Sequence, residues 1–295
     1  EEMKKGNGLV TYEDLNDYKS SYRKPIKGEF NNYEIISMGP PSSGGTLLVN
    51  MLNMIENFNL DTIGWNSSDY IHLLTEIERR AYADRSEHMG DPDFWSVPTG
   101  MLTSKNYAKN RIKDISLKIA SKSDDVFPGS AYKKESTETT HYSIIDKSGN
   151  AISVTTTLNT NFGSGIVVRG AGFLLNNEMD DFVSKPGVPN YYGLVGNLAN
   201  AIEPNKRPLS SMTPTIVTRN GSPFIILGSP GGSTIITSVM QVILNVTLFG
   251  MDIQEAVSSP RFHSQWLPDI IMIEPHSFPK DIIKNLEERG HNLSI

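Results

Sequence analysis

The 295-residue sequence has no cysteine, which excludes disulfides, thiolate catalysis and cysteine-ligated zinc and leaves the redox compartment open. No apolar stretch approaches the roughly 18 residues that a membrane helix needs. The first residues, EEMKKGNGLVTYEDL, lack the charged-then-apolar layout of a signal peptide, so the chain is expected to have no leader or to begin after one. No run of Lys or Arg exceeds two residues and the net charge is -6, which disfavours nucleic acid as a partner because phosphates are held by basic surfaces. No serine stands in a nucleophile elbow. The histidines His72, His88, His141, His263, His276 and His291 show neither HxxxH nor HExxH spacing, so no metal site and no cofactor is expected.

What is present describes a globular protein with an ordinary core: 38% apolar residues, 20% charged, with 24 glycines and 17 prolines. At this length one large or two smaller cores are possible. YEIIS followed by MGPPSSGG and an apolar-periodic run predicts strand, turn and helix, with Leu47, Leu48, Met51, Leu52, Met54 and Ile55 inward. SSDYIHLLTEIERRAYADRSEH predicts a second helix, with Ile71, Leu74, Ile77 and Ala81 on one face and charge on the other. Up to about residue 120 the reading is mostly helical. The polar stretch from Lys118 to Glu138 reads as an exposed connection and the best boundary, dividing the chain into 1–138 and 139–295.

Beyond it the period changes to two. HYSIID and AISVTTTL flank a Gly-Asn turn, and TPTIVTR and PFIILGS bracket Asn220-Gly221, so two hairpins are expected, followed by the helix TIITSVMQVILNVTLF and a last helix DIIKNLEERG. Hairpins with helices outside them give an α+β layered fold with an antiparallel sheet.

Four short motifs carry possible chemistry, each with a plain alternative. GSPGGST lacks the lysine and spacing of a phosphate loop; its N–H groups at a helix start suit an anion or oxyanion, or the stretch is a tight turn. In NNEMDDF, Glu178 and Asp181 are placed to hold an ammonium group or to form a solvated loop. In PLSSMTP, Ser210 and Ser211 donate to a carboxylate or cap a turn. The pair Thr139-Thr140 in ETTHYS is ordinary strand material unless the peptide before Thr139 is cut. Cutting it frees an α-amino group with a pKa near 8, able to take the hydroxyl proton of its own residue.

Taken together, TTHYSIIDKSGNAISVTTTLNTNFGSGI, GFLLNNEMDDF, NKRPLSSMTPTIV, GSPGGS and SPRFHSQWLPD closely resemble the γ-glutamyltransferases, or γ-glutamyltranspeptidases. The likeness runs in order along nearly the whole chain, and PPSSGGT and AYADRSEHMGDPDF resemble parts of that family's large subunit. The resemblance implies an N-terminal nucleophile hydrolase with an αββα sandwich and an adjoining mostly helical region. It implies a precursor cleaved at Glu138–Thr139, with Thr139 as nucleophile and Thr157 as its hydrogen-bonding partner. Asn159, Glu178, Asp181, Ser210 and Ser211 would hold the amino-acid end of the donor, Gly231 and Gly232 would form the oxyanion hole, and Tyr192 in KPGVPNYYGLVGN would gate a lid loop.

On that likeness, residues 1–138 are the C-terminal part of a large subunit and 139–295 the beginning of a small one, truncated at its C-terminal end. The family carries a leader and a carboxylate-binding arginine ahead of the part matching Glu1, and further strands past Ile295, so the chain reads as an internal fragment of a precursor. The expected substrates are glutathione and related γ-glutamyl compounds, with water, amino acids or dipeptides as acceptors. The rest of the large subunit is the expected partner in a heterodimer, and the expected location is periplasmic, secreted or at the cell surface. Alternatives are a poly-γ-glutamate depolymerase, a β-lactam acylase, or a non-catalytic scaffold; retention of every matched pocket residue argues against the last.

Overall fold

The protein is described by a computed structural model over residues 1–127, 139–188, 190 and 194–294. Its centre is an antiparallel sheet built from two hairpins distant in sequence. Strands β1 (Ile26–Phe30) and β2 (Tyr33–Ser37) pair with each other, and β2 pairs in turn with the first strand of the second hairpin. The sequence reading finds only the second strand of the first hairpin; the overlooked signal is Asn31-Asn32, with Asn31 in the left-handed region at φ 52°.

The hairpin read from TTHYSIID and AISVTTTL is present as β3 (Thr140–Ile145) and β4 (Ala151–Thr156), and that around Asn220-Gly221 as β5 (Thr215–Arg219) and β6 (Ser222–Leu227). The four-stranded order is β1-β2-β5-β6. The β3–β4 hairpin packs on β5 and β6, pinned by the hydroxyls of Ser143 and Ser153, which donate to the carbonyls of Ile226 and Leu227 at 3.1 and 3.0 Å.

Helix α1 (Gly44–Ile55) packs against both α2 (Ser68–His88) and α3 (Thr234–Thr247) and on β1 and β2; α4 (Lys280–Glu288) packs on α2. The amphipathic pattern predicts one buried face for α2, yet it is buried almost all round, its charges included. Mutual pairing makes this possible: Arg80 donates to Glu76 at 2.8 Å, and Arg111 to Asp84 at 3.1 Å. A single apolar cluster runs from Phe30 through Val217 to Leu286, so residues before and after 138 share one core and one sheet.

The architecture is thus α+β, with a helical layer, a sheet and a second small sheet. The outer face of the second sheet, where Tyr142, Ile144 and Ile152 lie exposed, has no helical layer over it among the described residues.

Candidate active site

The threonines meet because of hairpin register. Thr140 is paired with Thr156, so continuing the ladder by one residue sets Thr139 opposite Thr157. The chain then turns sharply at Asn159, whose φ of 77° is in the left-handed region. That turn is held at both ends: the Asn159 N–H donates to Thr157 Oγ1 at 2.8 Å, and its side-chain amide donates to the Asn177 carbonyl at 3.2 Å. Asn177 leads directly into a single helical turn, Glu178–Asp181, and so the hairpin end and the acidic turn are tied together.

Ser210 and Ser211 arrive from the opposite side, on the loop preceding β5. This loop is strapped to PPSSGG ahead of α1: Ser210 N–H donates to the Pro41 carbonyl at 3.0 Å, and Ser42 Oγ to the Met212 carbonyl at 2.7 Å. Glycine permits the approach, since a Cβ on Gly44 would fall inside contact distance of the Met212 carbonyl and the Thr213 hydroxyl. Both serine hydroxyls accept hydrogen bonds from within the protein, Ser210 from Met212 N–H at 3.1 Å and Ser211 from Arg85 Nη2 at 3.2 Å. Their own protons therefore remain for donation to an anion.

GSPGGST forms the turn into α3. Gly231 and Gly232 have φ of 130° and 54°, and a Cβ on Gly231 would collide with the Thr234 side chain. The turn is braced from beneath by residues in SPRFHSQWLPD: Ser233 Oγ donates to Gln265 Oε1 at 2.6 Å, and His263 Nε2 lies 3.0 Å from the same oxygen. Burial pushes His263 down to about 4, so it is neutral there at pH 7. Tyr82 of α2 adds a bond to the Ser233 carbonyl at 2.5 Å.

These loops meet around an open cleft lined by Thr139, Thr157, Asn159, Asp181, Ser210, Ser211 and Gly232, together with Arg85. Asp181 is pushed up to about 7, by burial first and then by the neighbouring charges of Glu178 and Asp180, against the opposing pull of Arg85. Glu178 is itself raised by burial. Glu178 and Gly231 do not line the cleft but adjoin residues that do, while Tyr192 and Glu138 lie outside the described residues. Arg85 was missed by the sequence reading, which left the charges of that helix on its outer face. The available signal was the position of AYADRSEH inside a motif resembling the family.

A separate cluster joins His72, Glu76 and His291, whose ligand-type atoms lie within 4.8 Å of one another. It is read as a hydrogen-bonded pair on a carboxylate already engaged. His72 Nε2 faces the Ser116 carbonyl at 2.7 Å and must hold its proton there, leaving Nδ1 to accept from His291 Nε2 at 2.7 Å. Glu76 is occupied by Arg80 at 2.8 Å and by the Ser121 N–H at 2.9 Å.

The family model for gamma-glutamyltranspeptidase matches residues 1–295. The chain belongs to the gamma-glutamyltranspeptidase family. It is 51% identical over 295 residues to a glutathione hydrolase proenzyme of Escherichia coli (strain K12), covering 100% of this chain and 51% of that protein. The chain spans about half the length of the curated relatives it matches. A crystal structure of an acivicin-inhibited gamma-glutamyltranspeptidase, in which the C-terminus has critical roles in autoprocessing and catalysis, is 61% identical with a TM-score of 0.52, over 52% of this chain and 82% of that one. The cephalosporin acylase from Bacillus halodurans superposes with a TM-score of 0.81 at 26% identity, over 99% of this chain and 50% of its own. No helix among the described residues is long and apolar enough to cross a membrane.

Proposed function

We propose that this chain is the nucleophile-bearing part of a γ-glutamyltransferase and glutathione hydrolase, cut before Thr139 into subunits that stay together. The observation carrying this reading is one cleft that gathers Thr139 and Thr157 with Asp181 on one wall and Ser210 and Ser211 on another. A γ-glutamyl donor ends in an α-ammonium and an α-carboxylate. Asp181, with Glu178 behind it, suits the ammonium, and the two serine hydroxyls suit the carboxylate. Fixing both ends leaves the γ-carbonyl beside Thr139.

After cleavage, the α-amine of Thr139 takes the hydroxyl proton as oxygen attacks the γ-carbonyl carbon. N–H groups of the Gly231-Gly232 turn stabilise the oxyanion, a contribution of about 3 kcal/mol for a typical donor. Collapse expels the leaving amine, which receives the proton, and an ester between the γ-glutamyl group and Thr139 remains. Water or the amine of an amino acid or dipeptide then takes the acyl group and restores the threonine. Residues 1–138 would contribute the end of the large subunit and 139–295 the start of the small one. The shared sheet and core favour subunits that remain associated. The remainder of a longer chain is the fitting partner for the exposed face of the β3–β4 hairpin, and kinship with the family supports a periplasmic, secreted or surface location.

The likeness to a cephalosporin acylase favours a second reading in which the same nucleophile opens a different side-chain amide. Both are tested on full-length protein and its Thr139→Ala variant by intact mass, by release from γ-glutamyl-p-nitroanilide with and without glycylglycine, and by cephalosporin deacylation. The expected result is cleavage before Thr139, γ-glutamyl turnover stimulated by the acceptor, and loss of both in the variant. An uncleaved chain with full activity, or an acyl adduct on another side chain, overturns the reading.

A further inference from the structure

Within that reading of the cleft, one side chain reaches both walls of the amino-acid site. Arg85 stands in the last turn of α2, is only 4% exposed, and lines the cleft beside Thr139 and Asp181. Its Nε donates to Ser43 Oγ at 2.9 Å and its Nη2 to Ser211 Oγ at 3.2 Å. Ser43 Oγ in turn donates a hydrogen bond to the Ser210 carbonyl at 2.8 Å. The direction of every bond in this chain is set by chemistry, because a guanidinium only donates. Ser43 must accept from Arg85 and so donates onward to Ser210; Ser211 must accept from Arg85, so its remaining proton is left for an incoming carboxylate.

The same guanidinium acts on the other wall. Among the described residues, the charged groups acting on Asp181 are Glu178 and Asp180, which oppose its ionisation, and Arg85, which favours it. A carboxylate crowded by two acids and partly removed from water needs a nearby cation to stay ionised at neutral pH. A lysine ammonium is a point charge on a flexible stem and does not reproduce the fork that spans Ser43 and Ser211.

We propose that Arg85 is a positioning residue for the donor's α-amino-acid end, orienting Ser211 and, through Ser43, the Ser210 backbone for the carboxylate while placing its charge in the same cleft as Asp181, which takes the ammonium. This rests on the γ-glutamyl reading of the cleft.

The test uses full-length protein carrying Arg85→Gln, Arg85→Lys or Ser43→Ala, with kcat and KM for γ-glutamyl-p-nitroanilide hydrolysis measured across the neutral range. For Arg85→Gln the donor KM rises about tenfold or more, as expected when a hydrogen bond to a charged group is lost. The acid limb of its kcat/KM profile moves up by about one pH unit, because a cation close to Asp181 has gone. Arg85→Lys raises KM but leaves the limb in place, and Ser43→Ala raises KM without moving the limb. A uniform loss at every pH, with the limb of Arg85→Gln unmoved, overturns the proposal. So does an unchanged KM in Ser43→Ala, which decides the matter even where Arg85→Gln does not fold. Wild-type protein that forms no acyl-Thr139 from this donor would instead overturn the reading of the cleft, whatever the Arg85 variants do.

Discussion

The backbone N–H and the hydroxyl of Ser43 both donate to the Ser210 carbonyl, each at 2.8 Å. Two loops far apart in sequence are thereby joined next to the serines proposed above to bind the carboxylate. The joint depends on the absence of a side chain at the following position, where the Gly44 Cα faces the Met212 carbonyl directly.

Gly44→Ala should therefore separate these loops. A methyl group there meets backbone and not a flexible side-chain end, so relief requires movement of the 210–213 loop, with an expected cost of about 1–3 kcal/mol. Denaturant unfolding should show a lower midpoint, and the donor KM should rise because Ser210 and Ser211 are displaced. An unchanged midpoint and KM would show that the loops tolerate the separation.

Asp181 links binding and stability with opposite signs. Its folded-state pKa, about 7, is above the ordinary value of 3.8, so between these the folded protein keeps a proton that the unfolded chain releases. Its contribution to stability is present at low pH and is lost as pH rises through about 7. Asp181→Asn should thus increase unfolding free energy at about pH 8 by roughly 1–3 kcal/mol, discounted for partial exposure, and have little effect near pH 4. The same variant should bind the donor much more weakly. Urea unfolding at the two pH values, together with donor KM, checks both signs; a variant less stable at high pH would contradict the assignment.

The buried pair His72 and His291 gives the reverse dependence. Burial holds both below the usual value of 6.5, His291 down to about 3, with Arg79 and Arg289 disfavouring added charge and Glu76, Asp69 and Asp269 partly offsetting them. The unfolded chain takes up protons first, so stability is complete above about pH 6.5 and falls as pH drops, by about 1.4 kcal/mol per pH unit for each histidine that the fold keeps neutral. His291→Gln keeps an amide able to donate to His72 and cannot itself be protonated. Its acid-unfolding curve should be shallower than that of the wild type between about pH 6 and 4. Parallel curves would count against the pair.

Much of the fold was legible along the chain because its signals are local. The Asn220-Gly221 turn, the apolar periodicity of residues 44–55 and the alternation of HYSIID announce their elements with few neighbours needed. The first strand, Ile26–Phe30, escaped because its turn residues, Asn31-Asn32, were not read as such. The charged side of the second helix was misplaced for a different reason: whether Arg80 is buried depends on Glu76 beside it and on the chain that covers both, and periodicity contains no information about the latter.

By its own composition and motifs the sequence determined the element types and carried the family likeness, and through that likeness it pointed to most of the polar residues that line the cleft, because turn chemistry and side-chain chemistry are properties of short segments. Tertiary structure alone decided that Arg85 bonds Ser211 and lines the cleft together with Asp181, that Ser43 holds Ser210, and that His72 meets His291. Those pairings join residues from distant parts of the chain, and only the packing of helices against the shared sheet sets the distances and the dielectric environment that give each group its direction and charge.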